Sequence, residues 1–496
     1  MGFSGLREFI ELLEAEGELA RVRVPVSLEQ ELGAVCVKSL RSYGPALLFE
    51  HPGENDIPII TNLLATRRRY ALAMGVAPNE CQANWNTCAA NPIPPVQVDK
   101  GPCQENVLIG DDVDILRLPA PFWNALDGGR YLTLSCHHTF DPTTGKRNVG
   151  IYRNMVHDRN TLGILAGPYQ HISIQHRAAP DDPFPVAIAI GPDPRVTMVA
   201  ATPLPFGADE LAMAGALRGK PVEVVRCKTL PIDVPADAEF ILEGEVRPSE
   251  LREEGHFGEF TGHYGGLRMP RKTIHITAMT FRNNPILHQA YQGAPPHETD
   301  VLTAVGKEAE FMRTIPLPGI KAVHLTEGGC GVLHLVIAVE KLYEGYGKMI
   351  GMAALGCPPG RHIKLVTVVD EDVDPMDPVA VEWAIATRVQ AHRDVEIVKE
   401  VSGIFLDPSM PPEEQAGPGR TSKMIIDATR YNAKSFPAVC LPDAAVIGRV
   451  EDDWGKYGIP VGQASVPHNG QAAARNGNAA PAQAVPAQAA DMRPGM

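Results

Sequence analysis

The sequence predicts a mixed α/β (α+β) multi-domain protein, in which a split, barrel-like β domain is joined by a helix to an α/β lobe. Its 496 residues are about three times a common domain length, so more than one core is within reach. Between residues 106 and 297 short β-branched runs recur with Pro and Gly between them, which suits a barrel-like or split sheet better than a doubly wound one. Beyond Pro295 and Pro296 strand-like and helix-like segments alternate, the pattern of an α/β lobe.

Residues 1–105 form an N-terminal α/β region packed on the β domain. Its first helix, capped by Ser4 and ended by Gly17, carries Leu6, Phe9, Ile10 and Leu13 on one face. Short strands are expected at 46–50 and 57–63. Residues 76–105, rich in Pro, Asn and Cys, read as a long connection without periodicity. The β domain, 106–297, takes its strands from TLSCHHTF, NVGIYRNMV, PVAIAIG, RVTMVAA, PVEVVRC, EFILEGEV and TIHITAMTF, with one helix at 208–218. A linker helix spans 298–313. The C-terminal α/β domain, 314–461, has strands in IKAVHLTE, GVLHLVIAVE, IKLVTVVDEDVD and VEIVKEVSG, with helices at 342–355 and 378–390. Residues 462–496 have no aromatic and almost no large aliphatic side chains, too little apolar area to offset ordering entropy, and read as a disordered tail.

Composition excludes several classes. With 59 acidic against 45 basic side chains the net charge is −14, which argues against nucleic acid as the main partner. No uncharged run approaches the roughly 18–20 residues of a membrane span. The start, MGFSGLREFIELLEAEGEL, is too acidic and amphipathic for a secretory signal. Nine cysteines without a Cys-x-x-Cys pair read as reduced, buried thiols of a cytoplasmic protein.

Most motifs reduce to structure. Gly345–Gly351 has one residue too many for a dinucleotide fingerprint, and 417–423 lacks the order of a P-loop and reads as a mobile loop. His137 and His138 alternate across a strand, so at most one can face a given site. The strand 148–153 puts Ile151 and Arg153 on one face, and a buried Arg153 needs an anionic partner, for which a structural salt bridge suffices. Glu210 opens a helix, where the dipole alone would favour it. The segment 251–264, LREEGHFGEFTGHY, is more telling. Glu254 and Glu259 are separated by glycines that allow a sharp turn, with Phe257 and Phe260 as apolar walls. Two carboxylates so placed can divide their roles, one ionised against an arginine and one donating a proton.

Taken in order, GLREFIELLEAEGELARV, NVGIYR, PYQHI, ALRGKPVEVVRC, EFILEGEV, EGHFGEFTGHYG and ITAMTFRNNPI resemble the UbiD family of decarboxylases dependent on prenylated FMN, over about residues 3–460. The resemblance implies a carboxy-lyase, a reversible non-oxidative decarboxylase of an aromatic, heteroaromatic or α,β-unsaturated carboxylic acid that releases CO2. It makes the β domain the flavin-binding domain and the second lobe an oligomerisation domain, in a homodimer or homohexamer. By the same resemblance Arg153 orients the substrate carboxylate, Glu254 pairs with it and Glu259 is the proton donor. Asn148, His171 and Glu210 hold Mn2+ (or Mg2+) with K+ nearby, and Asn148, Ile151, Arg153, Gln170, His171 and Glu210 touch the cofactor, which a flavin prenyltransferase supplies. Specificity is expected from Phe260, His297, Thr299 and Thr303 and from a second-lobe loop near Lys434-Ser435-Phe436. One departure stands out: where better-known members carry a lysine near the cofactor, this chain has GCPPGR, leaving Arg361 or Lys348 as the substitute.

Two other readings are a catalytic or accessory subunit of a multi-subunit aromatic carboxylase and a flavin-reductase-like protein. A scaffold subunit has no need of Arg153, Glu254 and Glu259 together, and only the barrel-like domain suggests a reductase.

Overall fold

The computed structural model describes residues 3–265, 268–416 and 419–459, and the 462–496 segment lies outside them. The helix Leu6–Ala15 forms where Leu6, Phe9, Ile10 and Leu13 recur at helical spacing, and all four are buried. Gly17 follows it with φ +70°, a conformation glycine adopts without steric cost. Ser4 is not its cap: Gly5 holds that position, and the Ser4 hydroxyl donates instead to the Glu8 carboxylate at 2.6 Å.

A four-stranded sheet follows in the order Leu19–Val22, Ala46–Phe49, Ile59–Thr61 and Leu287–His288. Its last strand comes from far along the chain and ties the N-terminal region to the end of the β domain. The expected connection at 76–105 holds a helix, Cys81–Ala90, which buries Cys81, Trp85 and Cys88. Those three residues have helical spacing, and the surrounding Asn, Cys and Pro content disguised it.

The central sheet has seven strands. Its path runs Thr161–Gly163, Met269–Phe281, Phe240–Glu254, Phe184–Ile190, Cys136–Phe140 and Arg147–Ile151, with Asn106–Ile109 also on Met269–Phe281. Every pairing is antiparallel. Phe184–Ile190 serves two cores: Val186, Ile188 and Ile190 enter one, Ala187 and Ala189 the other, as the two-residue period of a strand requires. RVTMVAA, expected as a strand, is the helix Pro194–Ala200. Asp193 caps it by accepting from Arg195 N, and Pro194 is set for a first turn; together they override the β-branched content.

The helix Glu298–Thr314 joins the lobes by packing into both. Val301, Leu302, Val305 and Ala309 belong to a core shared with the N-terminal helix, and Ala304 and Phe311 to that of the C-terminal sheet. That sheet runs Ile320–Leu325, His334–Val339, Leu365–Asp370, Arg420–Ala428 and Val395–Ser402, with parallel pairs at its centre and antiparallel pairs at both edges. Arg420–Ala428 overturns the mobile-loop reading of 420–423, while Gly417 and Pro418 lie outside the described residues. Its apolar pattern begins only at Met424, so its polar first half read as a loop. The helix expected at 342–355 begins at Tyr346. Among the described residues no helix is long and apolar enough to cross a membrane.

Candidate active site

Arg153 stands where the chain changes sheets. Arg147–Ile151 pairs with Cys136–Phe140, and Asn154–Met155 then pairs with Tyr131–Leu132. The strand expected to run through residue 153 therefore ends at Ile151, and Arg153 falls in the step between two pairings. Its Nε donates to Glu254 Oε1 at 2.8 Å and its Nη1 to Glu259 Oε1. The side chains of Arg153, Glu254 and Glu259 are 8%, 1% and 9% exposed, so the cluster is largely withdrawn from water. The guanidinium carbon lies 5.1 Å from the Phe257 ring centre and 6.0 Å from that of Tyr131, an aromatic seat for the charge.

The carboxylates come from the end of one strand and the turn after it. Glu254 closes Phe240–Glu254; Phe257–Gly258 then pairs with Tyr264–Gly265, so Glu259 opens a tight turn. Glu259 N donates to His263 O at 3.0 Å and Gly262 N to Glu259 O at 2.9 Å, with Gly262 at φ +78°. Asp127 holds the hairpin from below: its Oδ1 accepts from Gly258 N at 2.8 Å and its Oδ2 from Asn124 N at 2.9 Å. Gly255 lies back to back with Gly128, where a Cβ on Gly255 would sit 2.5 Å from Gly128 Cα. The turn therefore tolerates no side chain at that point. Among the described residues Glu254 Oε2 is buried with no hydrogen-bond partner, a state that costs free energy unless another donor reaches it.

A second set of candidate residues starts from Asn148, on the strand Arg147–Ile151 that leads to Arg153. Asn148 Oδ1 and His171 Nδ1 are 3.2 Å apart, and Glu210 Oε2 accepts from Val149 N at 3.0 Å. Asp209 caps the helix Glu210–Arg218 and so fixes where Glu210 starts. Burial pushes the Glu210 carboxyl up to about 8, opposed by hydrogen bonds from the backbone of Glu210 and Val149; burial also pushes His171 down.

Family sequence models for 3-octaprenyl-4-hydroxybenzoate carboxy-lyase match three stretches: the N-terminal domain at 10–84, the Rift-related domain at 95–295 and the C-terminal domain at 300–428. The chain belongs to the UbiD family. HmfF, a UbiD-class enzyme from Pelotomaculum thermopropionicum solved in complex with FMN, is 35% identical over 90% of this chain and 99% of that one, with a TM-score of 0.82. An evolved dimeric form of HmfF in complex with prFMN is 34% identical over 89% and 97%, with a TM-score of 0.79. Vanillic acid decarboxylase of Sedimentibacter hydroxybenzoicus, in closed form, is 33% identical over 92% and 99%, with a TM-score of 0.81. This UbiD-family chain is accordingly an enzyme of the decarboxylase, or carboxy-lyase, type.

The residues fit the groups that UbiD membership implies. Asn148, His171 and Glu210 offer an amide oxygen, an imidazole and a carboxylate, a largely hard donor set suited to Mn2+ or Mg2+, and a cation there would offset the desolvation of Glu210. Among the described residues no three His, Cys, Asp or Glu side chains gather as a metal cluster, and this set contains only two residues of those types. For the flavin, the unpartnered Glu254 oxygen and the Arg153 fork supply polar groups above an aromatic floor.

Other expected residues are differently engaged. Ile151 is half-buried; the Gln170 side chain accepts from Gly167 N at 2.6 Å, at the start of the helix His171–Ala178. His297 contacts Phe260 O through Nε2 at 2.8 Å and Thr299 Oγ1 through Nδ1 at 2.6 Å, while Thr303 Oγ1 donates to Thr299 O at 2.7 Å. His297, Thr299 and Thr303 thus form a braced polar group that holds the backbone of Phe260. Lys434 and Ser435 are exposed in a turn, with Phe436 half-buried. The second lobe also reaches this side of the molecule through Phe405 and Leu406: a Cβ on Gly167 would lie 2.9 Å from Phe405 Cε1, and one on Gly265 would lie 3.1 Å from Leu406 Cδ2. Sequence reasoning missed both, and Asp127 as well, which in NALDGG looks like any turn aspartate.

Proposed function

We propose that this enzyme is a reversible, non-oxidative decarboxylase of an aromatic, heteroaromatic or α,β-unsaturated carboxylic acid, working with prenylated FMN. The observation that carries the reading is Arg153 held between Glu254 and Glu259 with almost no water access and one Glu254 oxygen unpartnered. Arginine presents five donors in a planar fork; Glu254 and Glu259 engage two of its nitrogens, and the remaining donors orient the substrate carboxylate. Glu254 keeps the fork charged and aligned. Glu259, on its turn, carries the proton that the substrate carbon takes up after CO2 leaves. Loss of CO2 from an sp2 carbon leaves an electron pair the substrate cannot delocalise, and the flavin supplies the electron sink when bound. Phe257 and Phe260 limit the access of water, so the proton comes from Glu259.

Asn148, His171 and Glu210 would hold Mn2+ or Mg2+, with K+ nearby, and Ile151 and Gln170 would contact the flavin. The 106–297 domain holds the cofactor, 298–313 links it to the 314–461 lobe, and that lobe self-associates into a homodimer or homohexamer in the cytoplasm. Phe260, braced by His297, Thr299 and Thr303, stands beside the ring of the acid. The test is anaerobic co-production with a flavin prenyltransferase, mass spectrometry of the released cofactor, and a screen of acids for CO2 release and solvent-deuterium uptake. A Glu259→Gln enzyme with wild-type turnover and deuterium uptake would sink the assigned proton donor.

A further inference from the structure

Two buried polar atoms from different elements face one point beside Gly163. A Cβ on Gly163 would lie 3.1 Å from His157 Nε2, 3.2 Å from Glu254 Oε2 and 3.3 Å from Met155 Cβ. Gly163 pairs with Thr273 in the central sheet and its φ is not positive, so the backbone does not call for glycine there. Among the described residues His157 Nε2 is buried without a hydrogen-bond partner, as Glu254 Oε2 is, and no direct hydrogen bond joins the two. The His157 ring is held by its turn: His157 N donates to Thr161 O at 3.0 Å, Asp158 Oδ1 accepts from Asn160 N at 3.1 Å, and Arg252 pairs with Asp158. Burial, then the charge of Arg252, push the imidazole down against the pull of Asp158, so the ring is neutral at neutral pH and carries one N–H. Arg271, on Met269–Phe281, is near enough to feel the Glu254 charge, yet among the described residues it makes no hydrogen bond to Oε2.

Two buried polar atoms left unpaired are costly, and one water in reach of both relieves the cost. Atoms that lie 3.1 and 3.2 Å from a single point are close enough together for one water, with bonds of about 2.7–3.2 Å, to touch each. Such a bridge is nearly as good enthalpically as a direct hydrogen bond. Glu254 Oε1 is the oxygen that takes Arg153 Nε at 2.8 Å, so a water on Oε2 fixes the rotation of the carboxylate and, through it, the fork that Arg153 offers the substrate. A carboxylate oxygen has two acceptor sites, and the second remains open to a ligand. We propose that His157 is a positioning residue for the reaction, holding Glu254 through one water at Gly163. This deepens the functional reading above and rests on it. It also accounts for glycine at 163, where a methyl group would displace that water.

The test uses anaerobically prepared holoenzyme with benzoic, furoic and cinnamic acids, beside a crystal structure of the wild type. His157→Leu removes the ring nitrogens, His157→Gln keeps a polar group, and Gly163→Ala puts a methyl group where the two atoms meet. His157→Leu and Gly163→Ala are each expected to lower kcat/KM by about tenfold to hundredfold, with the melting temperature held within a few degrees. The double variant should lose no more than either alone, because both break one bridge, and His157→Gln should recover most of the loss. If Gly163→Ala does not fold, the two His157 variants carry the comparison. Wild-type kcat/KM in every folded variant overturns this inference and leaves the functional reading intact. Equal losses in His157→Leu and His157→Gln, or losses that add in the double variant, mark packing in place of a shared water and overturn it too. A wild-type crystal structure with no ordered water within hydrogen-bond distance of both atoms overturns it whatever the turnover. A wild type that holds the water and the flavin yet releases CO2 from none of the acids overturns the functional reading, and this role with it.

Discussion

Arg67 and Arg153 are both buried arginines set against carboxylates, and the two clusters are completed differently. At Arg67 both oxygens of the facing carboxylate are answered. Glu308 Oε2 accepts from Arg67 Nη1 at 2.8 Å and Gln82 Nε2 at 2.9 Å; its Oε1 accepts from Leu325 N at 2.9 Å and contacts His324 Nδ1 at 3.1 Å as well as Arg67. At Arg153 two carboxylates share one fork, and Glu254 Oε2 has no hydrogen-bond partner among the described residues. The Arg67 cluster ties the helix Arg67–Met74 to the linker helix; the Arg153 cluster has capacity left over for a ligand. A buried carboxylate with both oxygens hydrogen-bonded reads as architecture, and one with an oxygen left open reads as chemistry.

The comparison breaks most visibly in turnover. Glu259→Gln should lower CO2 release by about 10²- to 10⁴-fold with little change in melting temperature; a comparable loss of stability would mean that the Arg153 cluster is architecture too. Glu308→Gln should do the reverse, costing about 3–5 kcal/mol in denaturant unfolding while folded molecules keep their turnover.

Acid sharpens the contrast further. Burial would raise the Glu308 carboxyl, but Arg67 and His324 outweigh it and pull it down to about 2 from the ordinary 4.5. The unfolded chain therefore binds this proton at higher pH than the folded one, so the stabilisation is complete above about 4.5 and is lost as pH falls through about 2. Melting temperatures recorded from pH 5 to 2 should show that decline in the wild type and a shallower one in Glu308→Gln. The smallest effect is expected from metal removal. Chelation should lower the melting temperature by a few degrees at most, through loss of ligand linkage, and Asn148→Ala should abolish that shift.

What the sequence revealed follows from how local each signal is. The helix Glu298–Thr314, four of the five strands of the C-terminal sheet and the turn between Glu254 and Glu259 could be read because their spacing is local, while Arg420–Ala428 hid behind its polar first half. RVTMVAA failed because two capping residues outweighed its β-branched content, and Cys81–Ala90 because three buried residues stood among polar ones. The approach of His171 to Asn148 and of Glu210 to Val149 lay beyond any spacing rule, since these residues come from a strand and two helix starts; family resemblance alone named the three together. Phe405 and Leu406 carry no chemical mark in the sequence, and only the folded approach of the second lobe brings them near Gly167 and Gly265.

The nine cysteines are all unpaired, and Cys440 is the exposed one while the other eight are buried. That gives the native enzyme a ready attachment point for a thiol-reactive spin label or fluorophore on its second lobe. A second label placed on the 106–297 domain would turn the chain into a molecular ruler, reporting the distance between lobes as substrate and product come and go.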